Sequence, residues 1–457
     1  MAQATLVNED RAKPRGLLGL RDFRLLWIGQ AISLLGDQFS LLAFPWLVLQ
    51  LAGNGLAMGT VLALAGVPRA LLMLVGGAVT DRVSPRALML ASNLARVVLM
   101  GLLAALTLGG AVQLWMLYVV SLLFGVVDAF FFPAASAILP RIVGNERLGP
   151  ANALTQGTAQ VSVFLGPVLA GAVISLLAGQ GAGTPAGAGL FGLGVAFAIT
   201  AAGFLVSALM LSLLRMENTA GASSVTGQED QKAESVFGSI RAGLAAVLND
   251  PPLRTFFLLI AGINLLISGP FAVGIPVLAR ERFAEGVIAV GVISSSFGGG
   301  SLVGILLAGV LKTGGFERNS RMLTLLISGL GIGLIAFGLS VTLAVSAVVT
   351  LAMGAANGFV TVQFITWLQR RTPPAMLGRM MSLLMFAAVG LQPISTALAG
   401  PLVDLDVTTL FVGAGVLLTA LVLAVATRPA LRRMDAATPT VLSTSETRSP
   451  EFTEAAA

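Results

Sequence analysis

The chain has 457 residues, of which 56% are hydrophobic and only 11% charged, with a formal net charge of +6. A water-soluble domain carries about 25% charged residues, so this chain lacks the charge to coat a solvent-facing surface, and its main solvent is lipid. The basic residues punctuate apolar runs and form no continuous patch, which argues against a nucleic-acid partner and for membrane orientation signals. Cysteine and histidine are both absent. That removes disulfides, thiolate metal sites and imidazole proton carriers, and leaves proton chemistry to carboxylates.

In chain order, residues 1–23 mix acidic and basic side chains without the apolar core of a cleavable signal, and read as a cytoplasmic segment. A membrane helix needs roughly 20 mostly apolar residues. Six such runs follow near 24–51, 57–80, 87–108, 114–138, 152–178 and 190–214. A polar stretch over 215–250 reads as a cytoplasmic linker, with a surface helix at "FGSIRAGLAAVL". Six more runs lie near 253–279, 287–311, 321–340, 343–367, 380–403 and 408–427, and the Thr/Ser/Ala/Glu-rich tail over 428–457 reads as disordered. The expected fold is an all-α membrane protein: twelve transmembrane helices in two six-helix bundles, 24–214 and 251–427. With the N-terminus inside, the loops expected outside hold only Arg280 and Arg282 as basic residues, while Arg82, Arg86, Arg141, Arg147, Arg370, Arg371 and Arg379 fall inside. That asymmetry places both termini in the cytoplasm of a bacterial-type plasma membrane.

The halves also resemble each other. "LPRIVGNERLGPANAL" (139–154) aligns with "LQRRTPPAMLGRMMSL" (368–383), and "VLAGAV" (168–173) with "ALAGPL" (397–402), both at an offset of 229. Two related halves with a path between them describe a transporter.

Four charges fall near mid-membrane: Asp37, Arg69, Arg96 and Asp128, all in the first half. Each costs about 2.5–3.5 kcal/mol to insert. They are read either as structural salt bridges or as a set in which one acid binds and releases a proton. Burial raises a carboxylate's pKa and a nearby arginine lowers it, so a conformational change can switch the balance. Which arginine pairs with Asp128 stays open.

"GAVTDRVSPRALM" (77–89) resembles the G-x-L-A-D-R-x-G-R-K signature of the major facilitator superfamily: Gly77, Asp81, Arg82 and Arg86 match, while Ser84 and Pro85 depart from it. "GPVLAG" (166–171) resembles the G-P-x-x-G-G antiporter signature through Gly166, Pro167 and Gly171, with Ala170 in place of a glycine. The loops after spans four and ten, together with "FRLLWIGQAISLLGD", look like the drug:proton antiporter branch that includes macrolide and enterobactin exporters. The resemblance implies a pseudo-symmetric major facilitator fold. It implies a latch in which Asp81 meets the start of span eleven near Arg379, and a cavity lined by spans one, four, seven and ten. Those spans offer Gln30, Ser33, Asp37, Gln38, Asp128, Phe131, Asn264, Ser268, Phe271, Asn357, Thr361 and Gln363. Asp37 is the preferred proton-coupling candidate because span one would line the cavity. Asp128 is the second candidate, with Arg69 or Arg96 as charge partner.

This mixture of apolar, aromatic and sparse polar groups suits a bulky amphipathic ligand. The expected function is proton-coupled export of lipophilic or amphipathic small molecules of the drug or multidrug type. A dedicated metabolite or siderophore exporter and an uptake symporter stand as alternatives, and a non-transporting scaffold or sensor as a different class. An enzyme is not expected, nor a cofactor or metal. The expected partners are a small-molecule substrate, protons and the lipid bilayer, for a chain acting as a monomer.

Overall fold

In a computed structural model, residues 16–179, 187–215, 244–245, 247–311, 320–372 and 374–426 are described, apart from the side chains of 74–82, 378–379 and a few isolated positions. The expected surface helix and most of the linker, residues 1–15 and the tail lie outside these ranges. The described residues are almost entirely helical, with no strand among them.

The first half runs α1 (Arg21–Ala52), α2 (Gly55–Arg82), α3 (Pro85–Leu108), α4 (Leu114–Val143), α5 (Leu148–Ala178) and α6 (Gly187–Ser212). The second begins with α7 (Pro251–Gly269), which continues through a π-helical turn (Pro270–Gly274) into α8 (Ile275–Arg282) as one span. Then come α9 (Val287–Val310), α10 (Ser320–Gly338) and α11 (Leu343–Arg371). A second interrupted span follows: α12 (Pro374–Met385), a π-helical turn (Phe386–Gly390) and α13 (Gln392–Leu405), before α14 (Val407–Ala426) closes the chain. Eleven of the described helices are long and apolar enough to cross a membrane, and a shorter apolar helix, Thr324–Gly338, occupies the ninth predicted span. Residues before and after the linker pack chiefly among themselves.

Helix ends are finished by local chemistry. Ser84 caps α3 by accepting the Ala87 N–H at 3.2 Å, with Pro85 at the first helical position, where its missing N–H costs nothing. The two residues that depart from the family signature therefore build a helix start. Asp406 caps α14, accepting the backbone N–H and hydroxyl of Thr409 at 2.7 Å each, and these bonds hold its carboxyl below the usual carboxylate range. The two basic residues predicted outside neutralise carbonyls. Arg282 donates to Gly338 O at 2.7 Å, Ser340 O at 3.1 Å and the Thr408 hydroxyl, and Arg280 donates to Leu49 O at 2.8 Å. Guanidinium groups at helix C-termini also complement the helix dipole.

Lipid supplies no hydrophobic drive between helices, so small residues that admit close backbone contact do much of the packing. The tightest case joins α9 to α11. A Cβ on Gly300 would lie 2.0 Å from Leu351 O, and one on Gly304 2.0 Å from Ala355 O. Reciprocally, a Cβ on Gly354 would meet Phe297 O at 2.0 Å, and one on Gly358 would meet Ser301 O at 2.1 Å. Two glycines four residues apart on each helix thus press backbone on backbone. Gly354→Leu should abolish the monodisperse peak in size-exclusion chromatography of the detergent-extracted protein, whereas Gly309→Ala, which faces open space, should leave it unchanged.

Candidate functional site

At mid-depth of the first half, α2, α3 and α4 bring three of the four predicted charges together. Asp128 accepts from both arginines: Arg69 NH1 reaches Oδ2 at 3.1 Å, and Arg96 NH2 is in contact with Oδ1. The open pairing thus resolves as a shared acid. Arg96 is almost wholly buried, and its guanidinium lies 4.2 Å from the Phe131 ring centre, with Phe204 and Phe124 at 5.3 and 5.6 Å. Cation–π attraction, about 2 kcal/mol when desolvated, offsets part of the burial cost. The buried Nε of Arg96 has no hydrogen-bond partner among the described residues. Two guanidiniums on one carboxylate leave this triad with a surplus positive charge.

The fourth charge, Asp37 on α1, stands apart. Its carboxylate makes no hydrogen bond or ion pair among the described residues, is half-buried, and lies within electrostatic reach of Arg96 and Asp128. Its backbone carbonyl accepts the Ser40 hydroxyl at 2.9 Å.

The halves meet toward the end of the bundle away from Arg21, called here the distal end. Along the α2–α13 seam, Asp404 Oδ1 accepts the Gly55 N–H at 2.5 Å and Oδ2 accepts that of Leu56 at 2.8 Å. A Cβ on Gly59 would sit 2.6 Å from Thr396 O, and one on Gly66 2.5 Å from Pro393. At mid-depth on the same seam, Arg69 NH2 donates to Gln392 Oε1 at 3.1 Å. Along the α5–α9 seam, the Val168 N–H donates to Ser295 Oγ at 2.9 Å and Gln160 Nε2 donates to Gly298 O at 3.3 Å. The antiporter-like motif sits here. Pro167 O lies 2.5 Å from where Gly291 would carry a Cβ, and a Cβ on Gly171 would meet Val287 O at 3.1 Å, while Gly166 faces the Gln38 side chain within the first half.

The predicted cavity residues separate into groups. Gln30, Gln38, Phe131, Ser268 and Asn357 are half-buried, with Phe131 held against Arg96. Ser33 and Gln363 are buried. Asn264 spends its amide on Ile260 O at 2.9 Å and Thr361 its hydroxyl on Asn357 O at 2.8 Å, each within its own helix. Phe271 packs edge-on against Phe297, with the Phe337 ring tilted beside it, against the core of the second half. Of the gating signature, Gly77 lies on α2, and Arg86 donates to Leu211 O at 2.9 Å and Ser212 O at 2.7 Å, closing the end of α6. The side chains of Asp81, Arg82 and Arg379 lie outside the described set. Sequence reading missed Gln392 and Asp404, and it missed the ion pair of Arg371 with Asp250 at 3.1 Å, backed by the Trp367 ring. No cluster suited to a metal ion occurs among the described residues.

Two groups of membrane-length helices, meeting at glycine-lined seams around mid-depth charges, have the build of a polytopic membrane transporter. The model of the major facilitator superfamily matches residues 26–392, and the chain belongs to that superfamily. It is 27% identical over 380 residues to a protein named multidrug efflux pump Tap of Mycolicibacterium fortuitum, covering 81% of this chain and 86% of that one. It is 22% identical over 369 residues to macrolide efflux protein A of Streptococcus pyogenes, covering 79% and 84%. Among solved structures, the nucleoside transporter NupG superposes with a TM-score of 0.69 at 15% identity, over 89% of this chain and 99% of its own. A bacterial homologue of the iron transporter ferroportin in an inward-facing state superposes with a TM-score of 0.66 at 18% identity, over 90% and 99%.

Removing the shared acid strands two guanidiniums, and breaking a buried ion pair costs about 3–5 kcal/mol. Asp128→Ala should therefore lower the apparent Tm of the detergent-solubilised protein by several degrees, whereas Asp37→Asn, which breaks no ion pair, should leave it within about a degree of wild type.

Proposed function

We propose that the chain exports lipophilic or amphipathic small molecules of the drug or multidrug type in exchange for protons, by alternating access between two six-helix units, 24–214 and 251–427. Asp37 carries this reading. Among the described residues it alone of the four mid-depth charges has no hydrogen-bonded or ion-paired partner. Ionised, it balances the surplus positive charge of the Arg69–Asp128–Arg96 triad; protonated, it leaves that charge uncovered. A proton taken from one side and released to the other thus changes the electrostatic balance at the centre of the first unit. Histidine and cysteine are absent from the chain, so carboxylates are the groups suited to this work near neutral pH.

The names of the relatives, a multidrug efflux pump and a macrolide efflux protein, support a drug-type substrate. The positive-inside pattern puts the termini in the cytoplasm of the plasma membrane and makes the distal end the outer one. The ties between Asp404 and α2, Arg280 and α1, and Ser295 and α5 then describe a state with the outer end closed. Alternating access requires these contacts to part when the outer end opens. Asp81 and Arg379 would form the opposing latch at the inner end in that second state. The half-buried Gln30, Gln38 and Phe131 support a ligand site that is apolar and aromatic with few polar points.

In proteoliposomes with an imposed pH gradient, ligand movement should follow the gradient and collapse with a protonophore. Asp37→Asn should reduce gradient-driven transport at least a hundredfold while ligand binding stays within threefold of wild type. Ligand movement indifferent to the pH gradient would overturn the antiport reading, and normal efflux by Asp37→Asn would remove the role given to that acid.

A further inference from the structure

The α2–α13 seam carries two different polar contacts, at two depths. At the mouth, Asp404 of the second half accepts the first two N–H groups of α2. At mid-depth, Arg69 is divided between the halves: NH1 binds Asp128 in its own half, and NH2 binds Gln392 Oε1 in the other. Between the contacts, Gly59 and Gly66 bring the helices too close for any side chain. Gln392 is the first residue of α13, directly after the π-helical turn and Leu391. Its position along the seam therefore depends on the conformation of that turn.

A guanidinium has five N–H donors in a rigid planar fork, so a shift of Arg69 toward either partner moves it relative to the other. We propose that Gln392 is a positioning residue that couples the outer gate to the charged centre. Through Arg69 it makes the closure of α2 against α13 depend on the state of Asp128. Asp404 is the mouth latch of the same seam and has no such connection. Asp128 on α4 also binds Arg96 on α3, and Asp37 on α1 lies within electrostatic reach of both Asp128 and Arg96; coupling of this kind is reciprocal. Opening the seam removes Gln392 from Arg69 and leaves the arginine to the acids of the first half. A change at Asp128 alters how Arg69 is offered to Gln392.

The inference rests on the alternating-access reading, but its test reads the gate and needs no transport. The chain has no cysteine, so Ala111→Cys and Val341→Cys, both exposed in distal loops of opposite halves, can carry a pair of spin labels in full-length protein in nanodiscs. Pulsed electron-spin distances then give the ratio of outer-closed to outer-open molecules. Asp404→Ala should lower that ratio at least fivefold. Gln392→Leu, similar in size but unable to accept a hydrogen bond, should lower it at least threefold, and Gln392→Glu should keep the gate closed. The deciding measurement is a double-mutant cycle. Asp128→Asn should change the ratio threefold or more with Gln392 present and by less than 1.5-fold on the Gln392→Leu background. Asp128→Glu replaces it if the Asn variant is not recovered. On the Asp404→Ala background the response to Asp128 should persist. If Gln392→Leu leaves the ratio unchanged, or Asp128 acts equally with and without Gln392, the coupling is refuted while alternating access stands. A single closed population in wild type and in Asp404→Ala would bring down both.

Discussion

Everything at the centre of this protein follows from the cost of carrying charge where water is scarce. Asp128 answers that cost for two arginines at once. The sharing draws α2, α3 and α4 to a common point, and it recruits Phe124, Phe131 and Phe204 as a cage for a guanidinium that one carboxylate oxygen cannot satisfy alone. It also creates an imbalance, because two positive groups on one acid require a further negative charge nearby. Asp37, which has no hydrogen-bonded or ion-paired partner among the described residues, lies within electrostatic reach of Arg96 and Asp128 and supplies a negative charge there when ionised.

The same economy of polar contacts governs how the halves meet. Glycines bring α2 against α13 and α5 against α9 so closely that backbone replaces side chain as the contact surface. Van der Waals packing of this kind depends steeply on distance and has little strength once the surfaces part. A few hydrogen bonds at separate depths are added to this packing along the two seams. Pro167 and Gly171 of the antiporter-like motif belong to this interface, whereas Gly166 packs on Gln38 inside the first half, so the motif serves both the approach of the two halves and the packing of one.

Much of this was legible in the sequence. The spans were, because each apolar run is as long as a bilayer is thick. The four mid-depth charges were, because a charge in such a run is an anomaly that composition alone exposes. The sharing of Asp128 was not, since it depends on how three helices are rotated about their axes, and rotation leaves no trace in hydropathy. Asn264 and Thr361 sit at the depth expected for cavity residues, yet both bond within their own helix, a rotamer choice that depth does not determine. Gln392 and Asp404 passed unnoticed because polar residues near helix ends are commonplace. Asp406 with Thr409 has the spacing of a helix cap, whereas Asp404, two residues earlier, reaches a helix 349 residues away in the chain. With 54 glycines, no count could say which of them lie at a seam.

The π-helical turns interrupt two spans, and both lie in the second half, while all four mid-depth charges lie in the first. A wider helical turn loosens the regular ladder and lets one segment pivot on the next. The two halves therefore differ in kind: the first holds the charges and the second the interrupted helices. A substitution that removes a mid-depth charge falls on one half, and a substitution that straightens a π-helical turn falls on the other.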